Sequence, residues 1–162
     1  MISPKTSIFN IQYTDIHGEQ KDLSEYRGKK LMIVNVASEC GYTYQYKNLQ
    51  KLSESREDIV IIGFPSNQFG EQEPGDNTQI QNFCSSKYQV SFPMGSKTEV
   101  KGKGKSNLYA WLTESDKNGW NTQEPNWNFN KYIISEDGTL LGWFPSKIEP
   151  DNEQMLKLLD QK

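Results

Sequence analysis

Two short apolar runs in the chain predict buried β-strands. They are Leu31-Met-Ile-Val-Asn-Val36 and Asp58-Ile-Val-Ile-Ile-Gly-Phe64. Runs of this kind, rich in β-branched side chains, suit strands that are covered on both faces of a parallel sheet. Between them a helix is predicted over about residues 43–53, because apolar side chains recur there at the helical spacing: Tyr46, Leu49 and Leu52. The three elements together predict a right-handed β-α-β unit.

The residues before this unit predict a β-hairpin at the N-terminal end. Phe9, Ile11 and Tyr13 alternate with polar residues, which indicates a strand over residues 8–13. A short partner strand is expected at residues 20–23, after a turn at His17-Gly18.

The residues after it predict further helices and a second hairpin. The helices are expected at residues 77–88, 106–114 and 151–159. Asp151 is expected to cap the last of them, with Gln154 at the capping-box position. Glu136-Asp-Gly138 is a strong turn signal between apolar strands at 131–135 and 139–144.

The order of these elements predicts the fold class. Polar loops at residues 65–76 and 116–126 connect strands and helices that together form an α/β fold, with a central mixed β-sheet flanked by helices. Two parallel central strands, an antiparallel hairpin and a terminal helix fit a thioredoxin-like topology. The length suits a single domain that spans residues 1–162.

Composition and charge exclude several classes of function. Lys and Arg total 18, Asp and Glu total 21, and no block of like charges stands out, so a nucleic-acid partner is not expected. The longest apolar run is too short to cross a bilayer, so we expect no stable membrane insertion. The N-terminus lacks the apolar segment of a secretory signal. We therefore expect a cytoplasmic protein.

The cysteine and histidine counts limit the available chemistry. Two cysteines, Cys40 and Cys84, cannot form a disulfide scaffold. His17 is the only histidine and is expected in a surface turn, so neither a metal site nor a metal cofactor is predicted.

Cys40 lies between a buried strand and the start of a predicted helix. Ligands gather at such a position in open α/β sheets, and helix amides there favour a thiolate. A free cysteine can equally be an inert buried side chain, and position alone leaves both readings open. A dithiol reductase is not expected, because Thr43 stands where a C-x-x-C motif would have its second cysteine.

Three motifs resemble those of the glutathione peroxidase family, and they occur in the family's order. The first is Asn35-Val-Ala-Ser-Glu-Cys-Gly-Tyr-Thr43, which is similar to the nucleophile motif. The second is Gly63-Phe-Pro-Ser-Asn-Gln-Phe-Gly-Glu-Gln-Glu-Pro-Gly75, and the third is Trp127-Asn-Phe-Asn-Lys131. The similarity runs from about Phe9 to the last helix, and the family's thioredoxin fold agrees with the topology above.

The resemblance implies a catalytic constellation of Cys40, Gln68, Trp127 and Asn128. Two side-chain amides and an indole N–H around a sulfur can stabilise a thiolate and the leaving oxygen of a peroxide without a histidine. Taken singly, Gln68 could be a solvated loop residue, Trp127 core filler and Asn128 a turn residue. Asn67 and Gln72 are expected only to shape the loop.

The resemblance also gives Cys84 a role. In the thioredoxin-dependent branch of the family a resolving cysteine occupies the matching helix. We therefore expect a thiol peroxidase that reduces hydrogen peroxide and organic or lipid hydroperoxides. Cys40 becomes a sulfenic acid, Cys84 forms a disulfide with it, and thioredoxin reduces that disulfide.

Two alternatives stay open at this point. Glutathione could be the reductant, with Cys84 incidental, or the protein could be a peroxide sensor that passes a disulfide to a partner protein. The insertion of the family's tetrameric members is missing, which favours a monomer.

Overall fold

The computed structural model describes residues 6–161. Residues 1–5, on which the expectation about a secretory signal rests, lie outside the described residues. The strands are β1 (Gln12–Thr14), β2 (Gln20–Asp22), β3 (Lys30–Val36), β4 (Ile59–Pro65), β5 (Lys131–Ile134) and β6 (Leu140–Phe144). The α-helices are α1 (Gln45–Ser55), α2 (Asn77–Tyr88), α3 (Asn107–Thr113), α4 (Ser115–Asn118) and α5 (Glu153–Leu159). Short 3₁₀ helices span Ile8–Asn10 and Leu23–Tyr26.

A mixed sheet forms the centre of the protein, with the strand order β4-β3-β5-β6. β3 and β4 pair in parallel, as their apolar runs predict, and β5 pairs antiparallel with both β3 and β6. β1 and β2 pair with each other as a separate antiparallel hairpin. The predicted mixed sheet, the central parallel pair and both hairpins are thereby confirmed.

Helices cover both faces of this sheet, and the side chains of β3 show why. Leu31 and Ile33 point into a core that includes Leu108 and Trp111 of α3. Met32 and Val34 point into a second core, which includes side chains of α1, α2 and α5: Tyr46, Leu49, Ile80, Cys84, Met155 and Leu159. Because successive residues of a strand face opposite sides, a continuous apolar run can fill two cores at once.

The predicted strand over residues 8–13 is wrong in its first half. Ile8 and Phe9 are adjacent and both buried, which an alternating strand facing one core does not allow. The chain instead makes a 3₁₀ turn, in which the Ser7 hydroxyl accepts the N–H of Phe9 and the Ile8 carbonyl accepts the N–H of Ile11. The strand proper begins at Gln12.

Two further expectations need correction. Asn152, not Asp151, caps α5, because its side-chain oxygen accepts the N–H groups of Gln154 and Met155. With the cap one residue later, Gln154 no longer occupies the capping-box position. The predicted loop at 116–126 also begins with the short helix α4, which ends where Gly119 adopts a positive φ of 105°.

The lengths and compositions of the helices show whether any of them could cross a membrane. Within residues 6–161, every helix falls short of the length and apolar character that a membrane span requires.

Candidate active site

The ends of three strands bring the predicted site residues to one edge of the sheet. Val36, at the end of β3, pairs with Pro65 at the end of β4, and β5 starts nearby, where Lys131 pairs with Val34. Cys40 follows β3, Gln68 follows β4, and Trp127 and Asn128 precede β5. These residues therefore leave the sheet at the same edge, where open α/β sheets bind ligands.

Three segments form this edge: the Cys40 turn (residues 38–44), the Gln68 loop (residues 66–76) and the Trp127 turn (residues 127–130). Gln72 joins all three. Its backbone carbonyl accepts the N–H of Glu39 at 3.0 Å, and its side-chain oxygen accepts Nδ2 of Asn128 at 3.1 Å. Gln72, expected only to shape the loop, does more than that, since it holds the three segments together. Asn67 acts within the loop, where its Oδ1 accepts the N–H of Glu73 at 3.0 Å.

The Cys40 turn positions a half-buried thiol. Sγ of Cys40 accepts the backbone N–H of Tyr42 at 3.3 Å. The hydroxyl of Thr43 accepts the backbone N–H of Cys40 at 2.9 Å and donates to the carbonyl of Ala37 at 2.8 Å. Thr43, which stands where a C-x-x-C motif would have its second cysteine, thus fixes the backbone of the turn. α1 begins at Gln45, two residues later than predicted.

The amide of Gln68 is anchored to the segment at residues 99–101. Its oxygen accepts the backbone N–H groups of Val100 at 2.7 Å and Lys101 at 3.1 Å, and its nitrogen donates to the Lys101 carbonyl at 3.1 Å. The same nitrogen also donates to Oε1 of Glu99, at the long distance of 3.5 Å. One amide hydrogen of Gln68 is therefore only weakly held.

Trp127 and Asn128 occupy the Trp127 turn in different environments. The half-buried indole of Trp127 packs edge-on against Phe69 and lies against Gly70, where an added Cβ would come within 2.9 Å of the ring. Among the described residues, nothing accepts a hydrogen bond from its Nε1. Asn128 is fully buried and donates to Gln72, while its Oδ1 has no partner among the described residues.

The residues that hold the Trp127 turn had no predicted role. Asn35 of β3 donates through Nδ2 to the carbonyl of Trp127 at 2.9 Å and accepts the N–H of Asn130 at 3.0 Å. The Ser146 hydroxyl donates to the carbonyl of Asn128. Phe129, which lies between Asn128 and Asn130, adopts a positive φ of 60°. Because this backbone conformation is unfavourable for a residue other than glycine, the turn depends on these contacts. Asn35 and Asn130 lie in the recognised motifs, which was the available signal.

Cys84 lies in α2 and is 2% exposed. Both cysteines are free thiols. Burial raises the pKa of Cys84 to about 11. A cleft of about 450 Å³ separates the Cys40 turn from α2, with Ser38 and Glu39 on one wall and Ile80 and Phe83 of α2 on the other. The structure therefore places the two cysteines on elements that face a common cleft.

A buried carboxyl group, that of Glu73, is among the residues that line this cleft. Glu73 belongs to the second motif but carried no predicted role. Its Oε1 accepts the backbone N–H of Ser38 at 3.1 Å. Burial raises the pKa of Glu73 to about 7.

His17 is exposed in the turn before β2, as expected. In residues 6–161, no three His, Cys, Asp or Glu side chains are grouped so that they could hold a metal ion.

Comparisons with known proteins agree with this geometry. A family model described as "Glutathione peroxidase" matches residues 8–113. "Glutathione peroxidase homolog BsaA" of Bacillus subtilis is 42% identical over 159 residues, which cover 96% of this chain and 99% of that protein. "Glutathione peroxidase-like peroxiredoxin 2" of Saccharomyces cerevisiae is 38% identical over 149 residues, which cover 91% of this chain and 92% of that protein.

Solved structures are similar over nearly the whole chain. The crystal structure of Trgpx in its apo form has a TM-score of 0.73 and 34% identity, and 97% of each chain is covered. A thiol:disulfide interchange protein of the thioredoxin family from Chlorobium tepidum has a TM-score of 0.63 at 15% identity, with 98% of this chain and 97% of that chain covered. The second likeness shows the fold alone, and it confirms the predicted thioredoxin-like fold.

Proposed function

The chain belongs to the glutathione peroxidase family and is a peroxidase, and we propose that Cys40 is its nucleophile, Cys84 its resolving thiol and thioredoxin its reductant. The Cys40 thiolate attacks the terminal oxygen of hydrogen peroxide or of an organic or lipid hydroperoxide. The O–O bond breaks, Cys40 becomes a sulfenic acid, and the other oxygen takes up a proton and leaves as water or an alcohol. The sulfur is oxidised and the peroxide is reduced.

Hydrogen-bond donors support this first step. The backbone N–H of Tyr42 already contacts the sulfur. The indole N–H of Trp127 is free of protein acceptors among the described residues, and the second amide hydrogen of Gln68 is weakly held. We assign both donors to the thiolate and to the leaving oxygen, where negative charge develops. Asn128 supports these donors indirectly: its Nδ2 donates to Gln72 and fixes the Gln68 loop, in place of the direct contact with the sulfur that the resemblance implies.

The weak anchoring of α2 is the observation that carries the second step. Of its twelve residues, only Ile80 and Cys84 are buried. Phe83 and Tyr88 add partly buried packing against Tyr46, while six of the twelve residues are exposed. A helix that faces solvent over half of its residues can open locally at a lower cost in free energy than global unfolding. Because a disulfide allows only a short Cα–Cα distance, the proposal has Cys84 leave its buried position in α2 to reach Cys40. The sulfenic acid then condenses with the Cys84 thiol, forming a disulfide and releasing water.

Thioredoxin is the proposed reductant because the disulfide lies within one chain. A dithiol reductant attacks such a disulfide and returns both thiols. The name of the yeast relative, which includes "peroxiredoxin", fits a cycle of this kind. The runner-up cycle uses glutathione and leaves Cys84 without a role, and in the sensor alternative the disulfide passes to a partner protein.

Steady-state turnover separates these functions. Peroxide consumption is measured with thioredoxin, its reductase and NADPH, and in parallel with glutathione, glutathione reductase and NADPH. The proposal expects sustained turnover with thioredoxin and little with glutathione. Faster turnover with glutathione would favour the runner-up, and a single oxidation without turnover in either system would favour the sensor.

The remaining assignments are part of the same proposal. We propose that residues 1–162 act as a single domain and as a monomer in the cytoplasm. Size-exclusion chromatography with light scattering checks the oligomeric state, since a dimer would double the 18.7 kDa of one chain.

A further inference from the structure

The carboxyl group of Glu73 is buried, and one of its two oxygens lacks a hydrogen-bond partner within residues 6–161. This is rare for a carboxyl group in a folded protein. The residue is 1% exposed, and its Oε2 has no hydrogen-bond partner among the described residues. Its backbone is fixed at both ends, because Asn67 accepts its N–H at 3.0 Å and Lys97 donates to its carbonyl at 3.2 Å. The carboxyl group is therefore held in one place.

The structural contact of Glu73 does not require a charge. Its one side-chain hydrogen bond, from the N–H of Ser38, could equally be accepted by a glutamine, which avoids the cost of burying a carboxylate. A buried titratable group in a cleft, retained despite that cost, indicates a functional role.

The position of Glu73 relates it to both cysteines. Through Ser38 it contacts the Cys40 turn, two residues before the nucleophile. It also lines the cleft together with Ile80 of α2. Cys84 lies four residues after Ile80 and thus on the same face of the helix. Glu73 therefore borders the cleft between the Cys40 turn and α2, whereas Cys84 in its resting position lines a different cavity together with Phe92 and Met94.

The resolving step needs a base at this place. The thiolate, not the thiol, is the nucleophile, and burial raises the pKa of Cys84 to about 11 in its resting position. Even an exposed cysteine, with a pKa of about 8.5, is mostly in the thiol form at neutral pH. The titratable groups that face Glu73 are Glu39 of the Cys40 turn, Lys97, Tyr46 of α1 and Cys84 of α2, and Tyr46 also interacts with Cys84. Burial raises the pKa of Glu73 and Glu39 raises it further, whereas Lys97 lowers it.

We propose that Glu73 is the proton acceptor for the resolving thiol, a proposal that rests on the proposed role of Cys84. The Cys84 thiol gives its proton to the Glu73 carboxylate as its sulfur attacks the Cys40 sulfenic acid. The S–S bond forms and the S–O bond breaks. The departing hydroxide takes the proton from Glu73 and leaves as water, so that Cys84 is oxidised, the sulfenic sulfur is reduced and Glu73 is regenerated.

The test isolates the conversion of the sulfenic acid to the disulfide. Reduced protein is mixed with one equivalent of hydrogen peroxide, quenched by thiol alkylation at increasing times, and analysed for the Cys40–Cys84 linked peptide from about pH 5 to about pH 9. The variant is Glu73→Gln, which keeps the acceptor for Ser38. Glu39→Gln is the matched control, because it removes an exposed carboxylate from the same cleft.

For the wild type we expect the rate of linkage to rise with pH around a midpoint near neutrality. In Glu73→Gln the rate at neutral pH should fall on the order of 10²-fold and recover only in alkali, where the thiol ionises by itself. Oxidation of Cys40 by peroxide should be unchanged, which shows that the variant is folded. The control should keep a linkage rate close to that of the wild type, with a midpoint at slightly lower pH, because the charge of Glu39 raises the pKa of Glu73.

Two outcomes overturn this inference. Linkage in Glu73→Gln at the wild-type rate and with the wild-type pH profile would leave the peroxidase cycle standing and remove Glu73 from it. A wild-type linkage rate that is independent of pH near neutrality would do the same without any variant. Absence of a linked peptide in the wild type would instead overturn the role of Cys84 and this inference together.

Discussion

Asn35 holds Trp127 from beneath the site: its side-chain amide donates to the Trp127 carbonyl at 2.9 Å. The backbone carbonyl of Asn35 also accepts the N–H of Phe129 at 2.6 Å. Asn35, a buried residue of β3, thus fixes the position and orientation of the turn that carries the Trp127 indole. Preorganised donors stabilise developing charge only when such supporting contacts hold them in place.

Asn35→Ala should therefore weaken both the fold and the first chemical step. The change leaves the buried N–H of Asn130 without its acceptor, which costs on the order of 1–3 kcal/mol in the free energy of unfolding. Urea denaturation measures this cost, and stopped-flow oxidation measures the slower peroxide step. The exposed Asn10→Ala is the matched control and should stay within about 0.5 kcal/mol of wild type. Equal effects of the two changes would contradict the role of Asn35.

Cys40→Ser should abolish peroxide consumption and leave the fold intact. Serine is nearly the same size, but its hydroxyl is not ionised at neutral pH and is too weak a nucleophile for peroxide oxygen. Peroxide consumption and circular dichroism check the two halves of this statement. Retention of most of the activity would refute the assignment of the nucleophile.

Gln68→Ala and Trp127→Phe should each slow the oxidation of Cys40 on the order of 10²-fold, because each removes a donor to the sulfur or the leaving oxygen. Gln68→Glu separates the donor from the structural role, since it keeps the acceptor for Val100 and Lys101. Trp120→Phe, at an exposed tryptophan, is the control for loss of an indole. Stopped-flow kinetics should show no change in that control, and unaltered rates in the first two variants would disprove the constellation.

The pH dependence of stability should reveal the buried Glu73. Its pKa in the folded state, about 7, lies above the ordinary value of 4.5, so the unfolded state releases the proton first as pH rises. Wild type should lose stability relative to Glu73→Gln between about pH 4.5 and pH 7, by up to about 3 kcal/mol, and the difference should then stay level. Urea denaturation across this range measures it. A difference that does not vary with pH would mean that Glu73 titrates normally.

The sequence was sufficient for those parts of the fold that depend on local pattern. The apolar run at Leu31–Val36 predicts a strand buried on both faces, and Asp137-Gly138 predicts the turn of a hairpin. Both signals operate within a few residues, so no knowledge of the rest of the chain is needed. The motifs likewise predict roles for Cys40, Gln68 and Trp127, which lie next to strand ends at one edge of the sheet.

Features that depend on distant contacts could not be predicted in this way. The linking role of Gln72 requires Glu39 and Asn128, which come together only after the sheet has formed. The burial of Glu73 likewise depends on how the Gln68 loop folds against the Cys40 turn. The 3₁₀ turn at residues 8–10 replaced a predicted strand because both of its first side chains find room in the same core.

The link between Cys40 and Cys84 is the central claim, and peptide mapping tests it most directly. Wild-type protein oxidised with one equivalent of peroxide should yield a peptide in which the two residues are joined. In Cys84→Ser the first oxidation should proceed normally. Its sulfenic acid should persist, excess peroxide should carry it to the sulfinic form, and turnover with thioredoxin should fall sharply. If no linked peptide forms in wild type, or if Cys84→Ser turns over normally with thioredoxin, Cys84 is structural and the account is contradicted.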